Sequence, residues 1–239
     1  MDIANGASTP PQVQGSIARW LAKDIIGILI LLSVLVLVSG RLEWTRAWAF
    51  AGMVLAFQVV TVLWLMRLSP DLLVERSRLQ KGTKVWDKYL VIGAAGIGTF
   101  AIYLVAALEA RFHWPLAIPL SWTVAAFVVS AAGAALTLWA MLANRFFATT
   151  VRIQTERGHV VVDGGPYRYV RHPGYTGIIA FTLASPVALG SWRAAIPAGM
   201  AAALFILRTV LEDRTLHAEL DGYRDYAGRV HSRLIPGLW

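Results

Sequence analysis

The stretch Ser121–Ala143 reads SWTVAAFVVSAAGAALTLWAMLA, twenty-three residues without one charged side chain. A helix needs about 20 apolar residues to cross the hydrocarbon core of a bilayer, so this run is long enough to span it. Ala47–Met66 and Tyr89–Leu108 are uncharged runs of twenty residues each. Trp20–Gly40 reaches a similar length if the Lys23 amine extends to the membrane surface. The sequence therefore predicts four full membrane spans.

The composition of the whole chain agrees with a membrane protein. Of its 239 residues, 57% are hydrophobic and 15% are charged, whereas about 25% of a soluble domain is charged. The absence of cysteine excludes disulfides, thiolate catalysis and cysteine–metal sites, and the histidines and acids show no metal-ligand spacing. The net charge of +8 comes from basic residues that border the apolar runs, so we predict membrane contact and no nucleic-acid partner.

Two shorter apolar runs follow towards the C-terminus. Tyr175–Gly190 has sixteen residues and Ala194–Leu207 has fourteen, each short for a full span. We interpret them as a helical hairpin. The predicted fold is all-α, a polytopic transmembrane helical bundle of four full spans plus this C-terminal hairpin. Residues 1–16 lack apolar periodicity and are predicted to be a disordered tail, and residues 17–239 are predicted to form one transmembrane domain.

Lys and Arg residues indicate the orientation of this bundle. If the N-terminus faces the cytoplasm, the inner segments hold 18 of the 22 Lys and Arg residues and the outer segments hold four. Cytoplasmic loops carry such an excess of basic residues. We therefore predict that both termini are cytoplasmic, and that the loop before the hairpin and the C-terminal tail lie on the same side.

The loop between the fourth span and the hairpin is the densest polar and aromatic part of the chain. His159–Tyr175 contains two turn signals, Gly164-Gly165-Pro166 and His172-Pro173-Gly174, beside tyrosines, arginines and histidines. Such a loop can enclose a small, polar, partly aromatic molecule. The alternative is a basic loop that rests on lipid headgroups.

Charged residues also follow the last apolar run. Arg208 and Glu212 are four residues apart, so on a continuous helix they share one face. They are either an intrahelical ion pair or two groups that hold the opposite charges of a ligand. Asn144 and Arg145 mark the corresponding exit of the fourth span. We predict a pocket at the inner interface, between the polar loop and the last helix.

Several motifs in this part of the chain resemble the isoprenylcysteine carboxyl methyltransferase family. That family belongs to a wider group of integral-membrane methyltransferases that includes phospholipid N-methyltransferases. The motifs that carry the resemblance are His159-Val-Val-Val162, Gly165-Pro-Tyr167, Arg171-His-Pro-Gly-Tyr175, Arg208 with Glu212, and Tyr223-x-x-Tyr226 followed by Pro236.

The resemblance implies S-adenosylmethionine as methyl donor and residues 144–239 as the part that binds it. It places Arg208 where the family has a substrate-contacting, catalytic arginine. The cofactor-binding residues that it implies are Gln154, His159, Val160, Val161, Val162, Tyr167, His172, Pro173, Gly174, Tyr175 and Glu212.

The chemistry of these residue types suits that cofactor. A glutamate can accept hydrogen bonds from the cofactor's ammonium, and tyrosine rings can face its sulfonium or purine. A carboxylate acceptor needs only orientation, for example by Arg208, whereas an amine or thiol needs a proton acceptor. The candidates for that base are His217, His231 and Asp213, although both histidines can equally be structural.

The sequence thus predicts an S-adenosylmethionine-dependent membrane methyltransferase. Its acceptor would be a lipophilic small molecule or lipid reached from the bilayer, with carboxylate O-methylation favoured. The alternatives are an N- or S-methyltransferase acting on a phospholipid, an amine or a thiol, an NADPH-dependent membrane reductase, and a membrane scaffold without enzymatic activity.

Overall fold

The computed structural model describes residues 11–77, 82–112 and 118–239, without the side chains of residues 11–14, 16 and 17. Within these ranges the regular structure is entirely helical, which confirms the predicted all-α class. The helices are α1 (Pro11–Ser33), α2 (Thr45–Leu68), α3 (Pro70–Arg76), α4 (Val85–Val91), α5 (Thr99–Arg111), α6 (Leu120–Ala143), α7 (Pro173–Leu189), α8 (Ala195–Glu219) and α9 (Tyr223–Arg229). The π-helical segment Val34–Val38 extends α1, Ile92–Gly98 joins α4 to α5, and the 3-10 turns Thr155–Arg157 and Gly165–Arg168 lie between α6 and α7.

Five helical stretches of the described chain are long and apolar enough to cross a membrane, as expected of a multi-pass membrane protein. They are Ala18–Val38, Thr45–Leu68, Val85–Arg111, Leu120–Ala143 and Ala195–Glu219. The helix α7 is apolar but shorter, with 17 residues.

The prediction of four full spans and a hairpin with two short arms is wrong for the second arm. The helix α8 does not end with its uncharged run but continues for 25 residues, through Arg208, Glu212 and Asp213. Arg208 and Asp213 are both buried and both form ion pairs with other parts of the chain. Because these charges are compensated inside the protein, they do not have to mark the end of the helix.

The start of the chain also differs from the prediction of a disordered tail over residues 1–16. Residues 11–16 are the first residues of the helix α1. Once a helix has nucleated, each added residue contributes a hydrogen bond at little further cost, so the long apolar helix extends towards the N-terminus. The first ten residues of the predicted tail lie outside the described ranges.

The loop between α3 and α4 meets the loop after α6 at one end of the bundle, which we call the basic end. The Lys84 amide donates to the Val151 carbonyl over 3.0 Å, and Arg152 pairs with Glu75, with an Nη2–Oε1 distance of 2.8 Å. The loop between α3 and α4 therefore lies beside the loop after α6. That this end faces the cytoplasm stays a prediction.

The remaining loops meet at the opposite end of the bundle. Arg41 Nη1 donates to the Ala110 carbonyl over 3.2 Å. Glu109, which is buried, accepts hydrogen bonds from Ser191 Oγ over 2.5 Å and from Arg193 Nη1 over 3.2 Å. These contacts join the turn after α1, the end of α5 and the turn between α7 and α8.

Close packing between α6 and α7 positions the start of α7. A Cβ atom added at Gly177 would lie 2.4 Å from both the Gly133 carbonyl oxygen and Thr137 Oγ1. The Thr137 hydroxyl donates to the Gly133 carbonyl over 2.9 Å. Small residues at such a crossing allow the two backbones to touch. The contact holds His172 and Tyr175, at the start of α7, at the basic end.

We expect Gly177→Ala to destabilise the protein by about 1–3 kcal/mol, because the added methyl group overpacks this crossing. Gly52→Ala is the matched control, since a Cβ atom at Gly52 has no neighbour within 4 Å and alanine is the better helix former. Thermal unfolding of the detergent-solubilised variants measures both effects. Equal melting temperatures for the two variants would contradict the role given to the crossing.

Candidate functional site

A cavity of about 350 Å³ opens at the basic end of the bundle. Its volume lies within the usual range of ligand pockets, about 300–1,000 Å³. Its walls come from the loop after α6, the start of α7, the helices α8 and α9, and the apolar residues Val91 and Ala95 of the third span. The pocket predicted between the polar loop and the last helix is therefore present in the structure.

Eleven of the twelve predicted site residues line this cavity. They are Gln154, His159, Val160, Val161, Val162, Tyr167, His172, Gly174, Tyr175, Arg208 and Glu212. The exception is Pro173, which is buried and is the first residue of α7. A proline suits that position because the missing N–H group has no helical partner to lose. Pro173 therefore starts the helix and is not among the residues of the described cavity lining.

Asp213 is the centre of a buried polar cluster beside the cavity. Its carboxylate accepts from Arg171 Nε over 2.8 Å, the Tyr223 hydroxyl over 2.9 Å and Arg233 Nε over 2.9 Å. The Nε2 atom of His172 lies 3.2 Å from Asp213 Oδ1. One carboxylate thus ties α8 to the motif before α7, to α9 and to the C-terminal tail.

The residues predicted as proton acceptors do not reach the ligand space. The oxygens of Asp213 are occupied by the cluster just described, and His217 Nδ1 lies 2.8 Å from the Asp213 carbonyl oxygen. Neither these two residues nor His231 belongs to the described lining of the cavity. The structure therefore assigns Asp213 and His217 to structural contacts.

Arg208 pairs with a residue that the sequence did not indicate. Its Nε donates to Asp87 Oδ1 over 2.6 Å, and its Nη2 to Asp87 Oδ2 over 3.0 Å and to the Thr149 carbonyl over 2.8 Å. The guanidinium carbon lies 5.2 Å from the centre of the Tyr175 ring. The proposed intrahelical ion pair with Glu212 does not form, because Asp87 occupies two of the guanidinium nitrogens.

Glu212 is the only acidic residue in the described lining of the cavity. It accepts a hydrogen bond from the Tyr175 hydroxyl, which comes from the first turn of α7. The Tyr175 ring stacks on the His172 ring, with 5.9 Å between their centres. An aromatic ring and a carboxylate therefore stand side by side on one wall.

Gln154 and His159 shape the loop after α6. The Gln154 amide donates to the Phe146 carbonyl over 2.7 Å and accepts from Arg157 Nη1 over 2.5 Å. The Gln154 N–H group donates to His159 Nδ1 over 3.3 Å, so the ring carries its proton on Nε2. Burial, helped by the nearby Arg152 and Arg157, lowers the pKa of His159 to about 4. The His159 ring is therefore neutral at pH 7.

The backbone of residues 160–162 has unused hydrogen-bonding groups. Within the described ranges no hydrogen bond involves its N–H or carbonyl groups. Val160 is exposed and Val161 and Val162 are half-buried, so these backbone groups are open to water or to the polar edges of a ligand.

Tyr167 and Tyr226 both line the cavity, but the sequence predicted only Tyr167 as a site residue. The Tyr167 hydroxyl accepts from Asn144 Nδ2 over 3.2 Å, and the Tyr226 hydroxyl donates to the Tyr167 carbonyl over 2.8 Å. The motif Tyr223-x-x-Tyr226 contains Tyr226, but it did not indicate which residues Tyr226 contacts. Asp87 and Arg76 were missed because they lie far away in the sequence and outside any motif.

We expect Asp213→Asn to destabilise the protein by about 3–5 kcal/mol, because it leaves the buried Arg171 guanidinium without its compensating charge. Asp221→Asn is the matched control: it removes the same charge from an exposed residue, where such changes stay within about 0.5 kcal/mol. Melting curves of both detergent-solubilised variants give the comparison. A wild-type melting temperature for Asp213→Asn would show that the Asp213 cluster does not stabilise the protein.

Comparisons with known proteins cover the same part of the chain. The isoprenylcysteine carboxyl methyltransferase (ICMT) family matches residues 124–218. Proteins named "Probable protein-S-isoprenylcysteine O-methyltransferase" from Oryza sativa subsp. indica and subsp. japonica are each 29% identical over 94 residues, 38% of this chain. The chain spans about half the length of these curated relatives, 49% of each. These matches confirm the resemblance that the motifs indicated: residues 124–218 of the chain are similar to the ICMT family.

Proposed function

We propose that this protein is a membrane methyltransferase that uses S-adenosylmethionine and acts on a lipophilic acceptor reached from the bilayer. One observation carries the proposal: a single cavity joins a polar region at the basic end to an apolar region between the membrane spans. A water-soluble donor and a lipid-soluble acceptor can meet in such a cavity. The proposal also rests on the family resemblance of residues 124–218.

The polar region suits the donor, which when bound supplies a methyl group on a sulfonium. The Glu212 carboxylate would accept hydrogen bonds from its ammonium, a charge-assisted contact. The unpartnered backbone of residues 160–162 would receive its adenine edge or its carboxylate. The Tyr175 ring already contacts the Arg208 guanidinium and the His172 ring, so Tyr175 would support the donor site through its hydrogen bond to Glu212. The Glu212 carboxylate and the backbone of residues 160–162 take no part in the hydrogen bonds that hold the Asp213 and Gln154 side chains, so they would be available to the donor.

The apolar region suits a hydrocarbon chain. The side chains of Val91, Ala95, Ile178, Phe181 and Phe205 line it, from the third span, α7 and α8. Burying a methylene group in such surroundings is favourable by about 0.8 kcal/mol. An acceptor with a long aliphatic or prenyl chain would thus bind with its polar end towards Arg208.

The cavity best suits an acceptor that needs little help from a base. Of the histidines in its described lining, His159 is a weak base because burial lowers its pKa to about 4, and His172, which bonds to Asp213 through Nε2, can accept a proton only on Nδ1. An amine or thiol must lose a proton to react at neutral pH, whereas a carboxylate is already ionised. We therefore propose that the acceptor is an anionic oxygen, methylated as an ester.

Melting curves of the solubilised protein with S-adenosylmethionine or NADPH test the class of enzyme, because a ligand that binds the folded state raises the melting temperature. We expect a shift with S-adenosylmethionine alone. Transfer of a labelled methyl group to a lipophilic acid, amine or thiol then tests the acceptor. A shift with NADPH alone would indicate a reductase. A shift with neither compound would indicate that the protein lacks the proposed activity.

We expect Glu212→Gln to weaken S-adenosylmethionine binding by roughly ten-fold or more, because a hydrogen bond between charged partners contributes about 1.5–3 kcal/mol. The amide keeps an acceptor oxygen for the Tyr175 hydroxyl, so the melting temperature of the ligand-free protein should stay nearly unchanged. Glu219→Gln is the matched control, since Glu219 lies on the same helix and pairs with Lys84 at the surface. Unchanged donor affinity in Glu212→Gln would show that the donor is held elsewhere.

We expect the protein to lose stability as the pH falls from about 6.5 towards 4, in part through His159. The fold lowers the pKa of His159 from 6.5 to about 4, so it favours the neutral ring. That preference stabilises the folded state above the ordinary pKa and is lost as the pH falls through the window. Over this pH range the melting temperature of His159→Gln should fall less than that of the wild-type protein. His231→Gln should behave like the wild-type protein, because the His231 ring is exposed. Equal pH dependence in all three proteins would contradict the burial of a neutral His159.

A further inference from the structure

The described lining of the cavity contains four arginines, and three of them are compensated by carboxylates. Arg152 pairs with Glu75 and Glu156. Arg171 pairs with Asp213, and Arg208 with Asp87. These three guanidiniums are parts of the protein's own ion pairs. An anionic ligand would have to compete with a carboxylate already bound to each of them.

Arg76 differs from these three. It is the last residue of α3, and no carboxylate of the described residues lies within ion-pair distance of it. Its Nε atom is buried without a hydrogen-bond partner, and its Nη1 donates over a long 3.4 Å to the Phe147 carbonyl. The guanidinium carbon lies 5.6 Å from the centre of the Phe147 ring.

The charge of Arg76 persists at neutral pH. Burial, partly offset by the Asp24 carboxylate, lowers the pKa of the Arg76 guanidinium to about 10, and repulsion from Arg208 contributes to the lowering. The cavity wall therefore carries a protonated guanidinium whose donors are only partly used. A half-buried cation with a buried, unbonded Nε atom gains from an anion that reaches it.

From this contrast we infer that Arg76 binds the anionic group of the acceptor and selects for it. The inference rests on the proposed function and deepens it, because it assigns the acceptor's charge to Arg76, a residue of α3 outside the matched segment 124–218. Arg208, already neutralised by Asp87, then acts mainly as a neighbouring hydrogen-bond donor. The chemistry that Arg76 recognises is an anionic oxygen, which a carboxylate or a phosphate can supply.

The test compares the binding of three probes that share a sixteen-carbon chain: palmitate, hexadecyl phosphate and the neutral methyl palmitate. Tryptophan fluorescence of the detergent-solubilised protein reports binding without requiring turnover. We expect the wild-type protein to prefer an anionic probe to the ester by about ten-fold or more, the strength of a charge-assisted hydrogen bond. A preference for palmitate alone would identify a carboxylate site, and one for the phosphate alone a phosphate site.

Arg76→Gln should abolish the preference for the anionic probe, and Arg76→Lys, which keeps the charge, should retain part of it. Arg168→Gln is the matched control, because Arg168 is an exposed arginine of the loop after α6 and does not line the cavity. It should keep the full wild-type preference. Melting curves show that each variant is folded. If Arg76→Gln proves unfolded, the comparison of Arg76→Lys with the wild-type protein decides.

The outcomes separate this inference from the proposed function. Loss of the preference in Arg76→Gln, with S-adenosylmethionine binding within about two-fold of wild type, supports the inference. A retained preference in a folded Arg76→Gln, or an equal loss in Arg168→Gln, overturns it, because the charge would then act only through the surface. Failure of the wild-type protein to bind S-adenosylmethionine overturns the proposed function and leaves the probe measurement valid.

Discussion

The ion pair between Asp87 and Arg208 is the constraint on which the arrangement of the site depends. Asp87 is fully buried, and it also accepts from the Val151 N–H group over 2.7 Å. Arg208 bonds in turn to the Thr149 carbonyl. Two buried charges are stable only when their remaining donors and acceptors are satisfied. The pair therefore fixes α4, α8 and the loop after α6 together, and that loop carries the polar wall of the cavity.

The two adjacent acids of α8 have different tasks because their surroundings differ. Asp213 is buried among Arg171, Tyr223 and Arg233 and is held in place by their hydrogen bonds. Glu212 faces the cavity and bonds to the Tyr175 hydroxyl. The neighbours of each carboxylate, rather than its residue type, thus separate a structural acid from one that can bind a ligand.

The sequence predicted the features that depend on local patterns. Uncharged runs indicated the spans, and the resemblance of the motifs to a known family implied eleven residues that do line the cavity. It did not predict the partners of the charged residues, because Asp87 and Arg208 are 121 residues apart and no periodicity connects them. The sequence also underestimated the length of α8 for this reason. Without knowledge of its buried partner Asp87, Arg208 is interpreted as the end of the membrane-spanning run.

The order of charged residues along α8 would, under the proposed function, allow two unlike substrates to share the cavity. Arg208 and Glu212 are one helical turn apart, about 6 Å along the axis, and Glu212 is nearer the basic end. Under the proposed function, the water-soluble donor would bind beside Glu212 and the acceptor's polar end one turn deeper, towards Arg208. Methyl transfer requires the acceptor oxygen, the methyl carbon and the sulfur to lie in line. A rigid helix held by ion pairs on both sides of Glu212 keeps the two binding levels at a constant separation, which a flexible loop could not do.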